Sequence, residues 1–304
     1  MVTQSIDGVA FPMKEECDFS FLRRYGKVFC VFAQNDSGNI SFGLDDGRRK
    51  VFVKIAGACT AESFRSPAEA VAALRAAMPL YEALAHSRLI RLIEHFEHDG
   101  LYAAFFDWAD GDCLFDHWNF DLYERNPSLT PPRERFKALP HTKRLAAFDA
   151  MFAFLAHVEA QGYVAVDFYD GSIMYDFEQD VTTICDIDFF RKAPAFNDMG
   201  ANFWGTKRLK APEEYIPGAV VDNVTNVFTL GALLLHFFGQ FTDGEIQRMY
   251  AKDAFFPCRY ETWELGEALY QTAAKAVSPE RKDRYSSMQA FYAAWKKALR
   301  DAGE

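Results

Sequence analysis

The sequence predicts an α+β protein in which a small sheet-rich part precedes a larger helical part. Alternating apolar and polar residues, interrupted by Asp, Asn and Gly turns, fill residues 26–58, and two more strand-like runs end near residue 107. Longer apolar patterns with helical spacing dominate after residue 140. Period-two alternation is typical of half-buried strands, and spacing near 3.6 residues is typical of amphipathic helices. Because strands and helices are segregated along the chain, we predict two parts, 1–107 and 108–304.

The first part begins with three predicted antiparallel strands, in "KVFCVFA", "ISFGL" and "KVFVKIAG", the first two joined by the polar turn "QNDSGN". A helix should follow, with Ser66 as N-cap, Pro67 in the first turn and a bend at Pro79. Two further strands, joined by a "HDG" turn, complete the predicted sheet.

The second part opens with a polar insert whose "TPPRER" stretch we expect to be an exposed loop. A helix with a continuous apolar face follows, and then the aspartate-rich stretch of residues 164–190. Three or so helices should complete the chain. His236 lies in the most apolar of these, "TLGALLLHFFG", and we expect it to be a hydrogen-bonded core residue.

The composition restricts the classes of partner and compartment. Of the 304 residues, 50% are hydrophobic, which is enough for one large domain or two lobes around a cleft. The net charge is −10 with no dense Lys/Arg block, so nucleic acid is not an expected partner. No run of 18 apolar residues and no signal-peptide pattern is visible, which predicts a cytoplasmic protein without a membrane partner. The six scattered cysteines indicate reduced thiols.

Several motifs occur in the order and spacing found in protein kinases. Lys54 lies in the third strand, "DFYDGS" has the spacing of a catalytic loop, "CDIDFF" resembles the metal-binding D-F-G, and "GTKRLKAPEE" resembles the segment ending in A-P-E. Over residues 20–298 the chain resembles small divergent bacterial serine/threonine kinases of the protein kinase-like superfamily. The resemblance implies a bilobal fold, with a small antiparallel β-sheet N-lobe containing one main helix and a larger helical C-lobe. It also implies ATP and Mg²⁺ as cofactors.

The resemblance assigns four residues to catalysis. Asp167 would accept the hydrogen bond of the acceptor hydroxyl, and Lys54 would hold the α- and β-phosphates. Thr206 corresponds to the threonine before the substrate-binding loop. Tyr169 stands where serine/threonine kinases have a lysine, so one cation is missing from the transferring phosphate and transfer should be slower.

The resemblance also implies a nucleotide and metal site. Ser172 stands where the family has a metal-binding Asn, and either Asp186, which fits the loop length better, or Asp188 would be the main Mg²⁺ ligand. Phe105 or Phe106 would border the adenine pocket, and Asp112 would reach the ribose. The remaining nucleotide contacts would come from backbone groups of Ser37, Gly38 and Asn39, unless these form a plain hairpin turn, and of Asp107, Trp108 and Ala109.

Other positions depart from the family pattern. Ala77 stands near the place of the glutamate that pairs with Lys54, while Glu69 and Glu82 fit surface positions better. Val166 replaces the Arg before the catalytic Asp, so activity should not require activation-loop phosphorylation. Asn226 replaces the Asp that anchors the catalytic loop and can still accept a hydrogen bond from it.

The resemblance also implies that Glu213 and Arg284 form a buried ion pair that braces the helical part. Three functions stay open at this point. The chain is a divergent active serine/threonine kinase, a pseudokinase that binds nucleotide or acts as a scaffold, or a small-molecule kinase similar to aminoglycoside or choline kinases. The acceptor is accordingly a protein or small-molecule hydroxyl, and the oligomeric state is not indicated.

Overall fold

The computed structural model describes residues 1–34, 37–63, 65–116 and 119–303. Over these residues the protein is mixed α+β, with a five-stranded antiparallel sheet and eight α-helices. The chain divides into two compact units, residues 1–110 and 111–304. No helix within the described ranges is long and apolar enough to cross a membrane.

The first unit contains the five-stranded sheet, and the expected three-strand, helix, two-strand order is confirmed. Its elements are β1 (Val2–Ile6), β2 (Val9–Met13), β3 (Lys27–Phe32), β4 (Asn39–Asp45), β5 (Lys50–Ala56), α1 (Pro67–Ala83), β6 (Leu92–His98) and β7 (Leu101–Asp107). The sheet order is β3-β4-β5-β7-β6, so β5 is central. The hairpin β1–β2 was not predicted, and it adds Phe11 to an aromatic cluster with Phe19 and Phe42.

Helix α1 begins where the sequence indicates and for the predicted reason. Ser66 and Glu69 form a capping box, in which the Glu69 carboxylate accepts from the Ser66 N–H at 2.9 Å and Ser66 Oγ accepts from the Glu69 N–H at 3.3 Å. The helix buries Leu74, Ala77 and Met78 and packs on β5 and β7. Apolar contact therefore occupies the helix face where the family has its glutamate.

The second unit is mainly helical. Its helices are α2 (Phe120–Arg125), α3 (Pro132–Lys137), α4 (His141–Ala160), α5 (Asn223–Phe238), α6 (Asp243–Lys252), α7 (Glu267–Ala276) and α8 (Met288–Ala302). Its short strands are β8 (Asp112–Cys113), β9 (Tyr163–Val164), β10 (Ile173–Asp176), β11 (Val181–Ile184), β12 (Arg191–Lys192), β13 (Ala195–Phe196) and β14 (Val220–Val221). They form the ladder β11-β10-β8 and the pairs β12-β9 and β13-β14.

The core of this unit is built around α5, which packs against α4, α7 and α8 and is buried along almost its whole length. One expectation for this unit is wrong. The "TPPRER" stretch is not entirely a loop, because its second proline is the first residue of α3. A proline is tolerated there, since the N–H at this position makes no hydrogen bond within the helix. Phe136 of α3 is fully buried and packs on Phe237 of α5, which explains why this polar segment is helical.

Candidate functional site

The segment between β9 and β10 carries the aspartates of the proposed catalytic loop, and α5 holds it in place. Asn226 Nδ2 donates to the Ala165 carbonyl at 2.8 Å, and the Ala165 N–H donates to Asn226 Oδ1 at 2.8 Å. Asn226 is buried, so both hydrogen bonds are shielded from water. The expected acceptor role of Asn226 is confirmed, and its amide also donates, which an ionised Asp could not do.

Asp167 follows this anchor in the left-handed backbone region, with φ of +62°. That conformation is uncommon outside glycine but is tolerated by Asp and Asn. The carbonyl of Asp167 accepts a hydrogen bond from Ser172 Oγ at 3.4 Å, and the Ser172 N–H donates to the Tyr169 carbonyl at 2.9 Å. These hydrogen bonds therefore connect the two ends of the loop, Asp167 and Ser172, whose five-residue spacing resembles that of a catalytic loop.

Tyr169 folds back over its own loop. A Cβ built on Gly171 would lie 2.4–2.7 Å from the outer atoms of the Tyr169 side chain, so a larger residue at 171 would require Tyr169 to move. The ring also makes an edge contact with Phe115, with centroids 6.0 Å apart. Burial raises the pKa of Tyr169, and the negative charges of Asp167 and Asp186 raise it further. Tyr169 therefore places a neutral hydroxyl within electrostatic reach of both carboxylates.

The proposed metal ligands lie on two backbone segments that are hydrogen-bonded to each other. Cys185 N–H donates to the Ser172 carbonyl at 2.8 Å, which places Asp186 directly beside the end of the loop. Asp186 is exposed at φ of +56°, while Asp188 is partly buried. A carboxylate and a hydroxyl are hard oxygen donors, and Mg²⁺ uses one or two carboxylates together with phosphate and water. In donor chemistry these residues fit Mg²⁺, and the choice between Asp186 and Asp188 as its main ligand stays a prediction.

Asp170 lies in the same loop but is buried and paired with an arginine. Its side chain is 0% exposed, and both of its carboxylate oxygens accept from Arg208 Nη2, at 2.8 and 3.1 Å. The Arg208 guanidinium also lies over the Phe115 ring, 4.5 Å from its centroid. This pair joins the proposed catalytic loop to the segment between Gly205 and Glu213. The sequence reading missed the pair because Arg208 is one of several basic residues in that segment.

The predicted brace of the helical unit is confirmed. Arg284 donates to both oxygens of Glu213 at 2.7 and 2.9 Å, and its side chain is 0% exposed. Arg281 adds a second guanidinium 2.6 Å from the same carboxylate and also binds Asp222. Burial alone would raise the pKa of Glu213, but the hydrogen bond and charge of Arg284 lower it overall. The sequence did not indicate that Arg281 takes part.

The neighbouring Glu214 has the opposite character. Its carboxylate accepts from the Ala211 N–H at 2.7 Å, and burial raises its pKa to about 8. Lys210, also buried, donates to the Phe203 carbonyl, and burial lowers its pKa.

Thr206 is partly buried, and its carbonyl accepts from the Leu209 N–H at 2.9 Å. Its proposed role stays a prediction.

In the first unit, Lys54 lies on the central strand β5 and is 7% exposed. It is paired with Ala104 of β7 and Ser41 of β4, while Phe52 is paired with Phe106. Because paired residues point to the same face and alternate residues share it, Lys54 and Phe106 lie on one face of the sheet. Tyr81 of α1 contacts the Phe106 ring, with centroids 4.8 Å apart, so this is the face that α1 covers.

The other proposed adenine and ribose residues already have protein contacts. The Asp107 side chain binds Arg91 through two hydrogen bonds of 2.7 and 2.9 Å, and the Asp107 N–H also donates to the Arg91 carbonyl at 3.0 Å, so this N–H already has a protein acceptor. Trp108 makes an edge contact with Phe29, and Asp112 forms an ion pair of 2.6 Å with Arg135. Phe105 faces the opposite side of β7 and contacts Tyr25, so Phe106 is the better candidate beside Lys54.

The proposed phosphate-contacting turn precedes β4. Gly38 has φ of +87°, and a Cβ there would lie 2.9 Å from Ser63 Oγ and 3.0 Å from Ala70 Cβ. This close approach to the start of α1 requires glycine. Asn39 is buried, and its Oδ1 has no hydrogen-bond partner among the described residues. Asn35 and Asp36 of the same "QNDSGN" turn lie outside the described residues.

A cavity of about 540 Å³ occurs in the first unit, away from the predicted site. Val51 and Phe105 line it, and both lie on the sheet face opposite Lys54 and Phe106. Arg24, Arg49 and Glu94 also line it, and Phe105, the less suitable of the two adenine-pocket candidates, is the only proposed ATP-binding residue among the residues that line it. We therefore base the candidate site on the aspartate-rich loop and not on this cavity.

Comparison of the chain with protein-family models and with curated proteins finds no match. Within the part of the chain that the structure describes, no group of three or more His, Cys, Asp or Glu side chains forms a ready-made metal cage. The functional interpretation therefore depends on the geometry of the loop and on the residues that fix it.

Proposed function

We propose that the protein is an ATP- and Mg²⁺-dependent phosphotransferase, a divergent serine/threonine protein kinase with the bilobal kinase-like arrangement. The observation that carries the proposal is the loop from Ala165 to Ser172. Asn226 anchors its start, Asp167 projects from a left-handed turn, and its end is hydrogen-bonded to the segment that carries Asp186. Phosphoryl transfer needs this combination of an oriented base and a neighbouring metal-binding carboxylate.

In this proposal, the Asp167 carboxylate accepts a hydrogen bond from the acceptor hydroxyl and takes its proton as the hydroxyl oxygen attacks the γ-phosphorus of ATP. The bond from that phosphorus to the β,γ-bridging oxygen breaks, and ADP leaves with the bonding electrons. Asp186 and Ser172 would hold Mg²⁺, which offsets phosphate charge when bound. Lys54 would supply a fixed cation for the α- and β-phosphates.

A nucleotide-binding protein without useful turnover is the second candidate, and Ser172 favours it. Ser172 is 1% exposed, and its Oγ already donates to the Asp167 carbonyl. A serine hydroxyl in this position is a weaker metal ligand than the amide oxygen it replaces in the family. Tyr169 adds no positive charge to the transferring phosphate, so slow transfer is expected in either case.

The test is transfer of label from γ-labelled ATP to protein and small-molecule hydroxyl acceptors, with and without Mg²⁺. We expect Asp167→Asn and Asp186→Asn to reduce transfer at least 100-fold, on the order of the effect of losing a catalytic base. Asp99→Asn is the matched control, because Asp99 also has a left-handed backbone, with φ of +47°, and is 91% exposed.

Label on a protein acceptor would support the kinase proposal, and label only on small molecules would replace it with a small-molecule kinase. Mg²⁺-dependent ATP binding without transfer to any acceptor would favour the second candidate. Undiminished transfer by Asp167→Asn would contradict the role of the loop.

A further inference from the structure

His236 on α5 is not the satisfied core histidine that the sequence predicts. Its ring is partly buried and packs edge-on against Phe237, but its Nε2 is buried without a hydrogen-bond partner among the described residues. Buried polar atoms are hydrogen-bonded in the large majority of cases, because an unpaired one costs about 1–3 kcal/mol. An unpaired ring nitrogen in the apolar second half of α5, residues 230–238, therefore indicates a missing partner.

Arg208 presents a second atom of the same kind. Its Nη2 donates to Asp170, while its Nη1 is buried and has no hydrogen-bond partner among the described residues. The side chain is only 14% exposed and is fixed between Asp170 and the Phe115 ring. One edge of the guanidinium is thus occupied by the protein, and the other edge offers a donor to a ligand.

Three positively charged side chains act on His236. Burial lowers the pKa of His236 well below its ordinary value, and the charges of Arg208, Arg133 and Lys137 lower it further. Arg133 is paired with Glu134 at 2.7 Å, and Lys137 donates to the Gly239 carbonyl at 3.1 Å. Three cations therefore lie within electrostatic reach of the unpaired imidazole nitrogen, which is an environment that favours an anion.

The cluster formed by Arg208, His236, Arg133 and Lys137 is connected to the proposed catalytic loop through Arg208. Arg208 is bonded to Asp170, three residues after Asp167 in the same loop. Arg133 has a side chain that is 42% exposed, so this member of the cluster lies at the protein surface. A group bound by Arg208 and His236 would lie next to the loop that orients the acceptor hydroxyl.

We propose that Arg208, His236, Arg133 and Lys137 form a subsite for a carboxylate or phosphate group, and that the acceptor supplies this group near its reactive hydroxyl. The inference rests on the proposed phosphotransferase function and specifies its acceptor class as anionic. The unpaired nitrogens would then gain an oxygen acceptor, and charge-assisted hydrogen bonds of this type are about twice as strong as neutral ones.

The kinetic test uses three serine peptides that differ only in the residues flanking the serine, which are Asp, Asn or Lys. We expect kcat/KM to be at least tenfold higher for the acidic peptide than for the neutral one, mainly through KM. His236→Gln and the double variant Arg133→Gln/Lys137→Met should reduce this preference to less than threefold. His98→Gln, on the first unit, is the matched histidine control and should keep it.

Arg208 needs a separate design, because its removal would leave the Asp170 carboxylate buried without its partner. The double variant Asp170→Asn/Arg208→Gln replaces both charges by amides and should also lose the preference. Equal kcat/KM for the three peptides with the wild-type protein would overturn the acceptor proposal.

A binding measurement separates this inference from the proposed function. The Cε1–H resonance of His236, assigned by its absence in His236→Gln, should shift when the acidic peptide or inorganic phosphate is added. The shift should be absent with the neutral peptide and in Arg133→Gln/Lys137→Met. A shift with the acidic peptide but no turnover would support the subsite and contradict the kinase proposal. Turnover without any shift would overturn the subsite, and a shift with phosphate alone would identify an inorganic anion site and overturn the acceptor claim.

Discussion

Two buried arginine–carboxylate pairs of the second unit, Glu213–Arg284 and Asp170–Arg208, differ in how many of the arginine donors have protein acceptors. In the brace, Arg284 binds both oxygens of Glu213 and also donates to the carbonyls of Ser278, Pro279 and Val224. In the loop pair, Arg208 binds Asp170 through one nitrogen, while its other terminal nitrogen is buried without a partner among the described residues.

This difference distinguishes Glu213–Arg284, a pair that stabilises the fold, from Asp170–Arg208, a pair that we assign to binding of an anionic group. An arginine whose donors all have protein acceptors has nothing left for a ligand, so its contribution is to stability. An arginine held rigidly by one edge has a fixed, oriented donor on the other edge, which is the arrangement that recognition of a planar oxyanion needs.

The largest effect is expected from breaking the brace on one side. Arg284→Met leaves the buried Glu213 carboxylate with the partly exposed Arg281 and the Thr225 hydroxyl, and it removes donors from three carbonyls. We expect the free energy of unfolding, measured by urea denaturation, to fall by about 3–5 kcal/mol. Arg281→Met is the control, since Arg284 remains in place, and should cost about 1–2 kcal/mol. Equal losses for the two variants would contradict the assignment of Arg284 as the main partner.

An intermediate effect is expected at Glu214, which is a buried carboxyl without an arginine. Its pKa rises from an ordinary 4.5 to about 8 in the folded protein, chiefly through burial. Between these values the folded state keeps a proton that the unfolded state has lost, so stability falls as the pH rises. The slope from this group is up to about 1.4 kcal/mol per pH unit.

Glu214→Gln keeps an oxygen acceptor for the Ala211 N–H and removes the ionisation. We expect it to stabilise the protein by on the order of 2 kcal/mol at pH 7 and by little at pH 4. Urea denaturation at a series of pH values measures this. If the stability of the variant changed with pH as that of the wild type does, the pKa of Glu214 would not be raised in the folded protein.

The smallest effect is expected when the loop pair is replaced as a whole. Asp170→Asn/Arg208→Gln removes both charges together, and such replacements of buried pairs are often nearly neutral, so we expect a change within about 1–2 kcal/mol. The equivalent Glu213→Gln/Arg284→Gln variant should lose more, because three carbonyls also depend on Arg284. If the loop double variant were the less stable of the two, the loop pair would be the structural one.

Local patterns in the sequence were sufficient to predict much of the fold. The capping box of Ser66 and Glu69, the five strands of the sheet and the helix from His141 depend on neighbouring residues, and all are found. The Glu213–Arg284 pair was predictable because both residues belong to recognisable motifs. Hairpin β1–β2 was missed, since its place on the sheet depends on distant residues such as Phe42.

The candidate site was predictable only in part. The sequence indicated Asp167, Ser172 and Asp186, and the structure brings the segments that carry them together through the Cys185–Ser172 hydrogen bond. The contacts of Arg208 and His236 were not predictable, because nothing in the spacing of single basic residues shows which of their nitrogens finds a partner. That property depends on packing between segments far apart in the chain.

The glycine beneath the Tyr169 ring has a consequence for how the sequence can vary. Any side chain at position 171 would require that ring to move, whereas a small residue at position 169 would remove the constraint on position 171. Among homologous chains, we therefore expect the two positions to change together, with glycine retained at 171 wherever an aromatic residue occupies 169. A homologue with lysine at 169 would be free to carry alanine or a larger residue at 171.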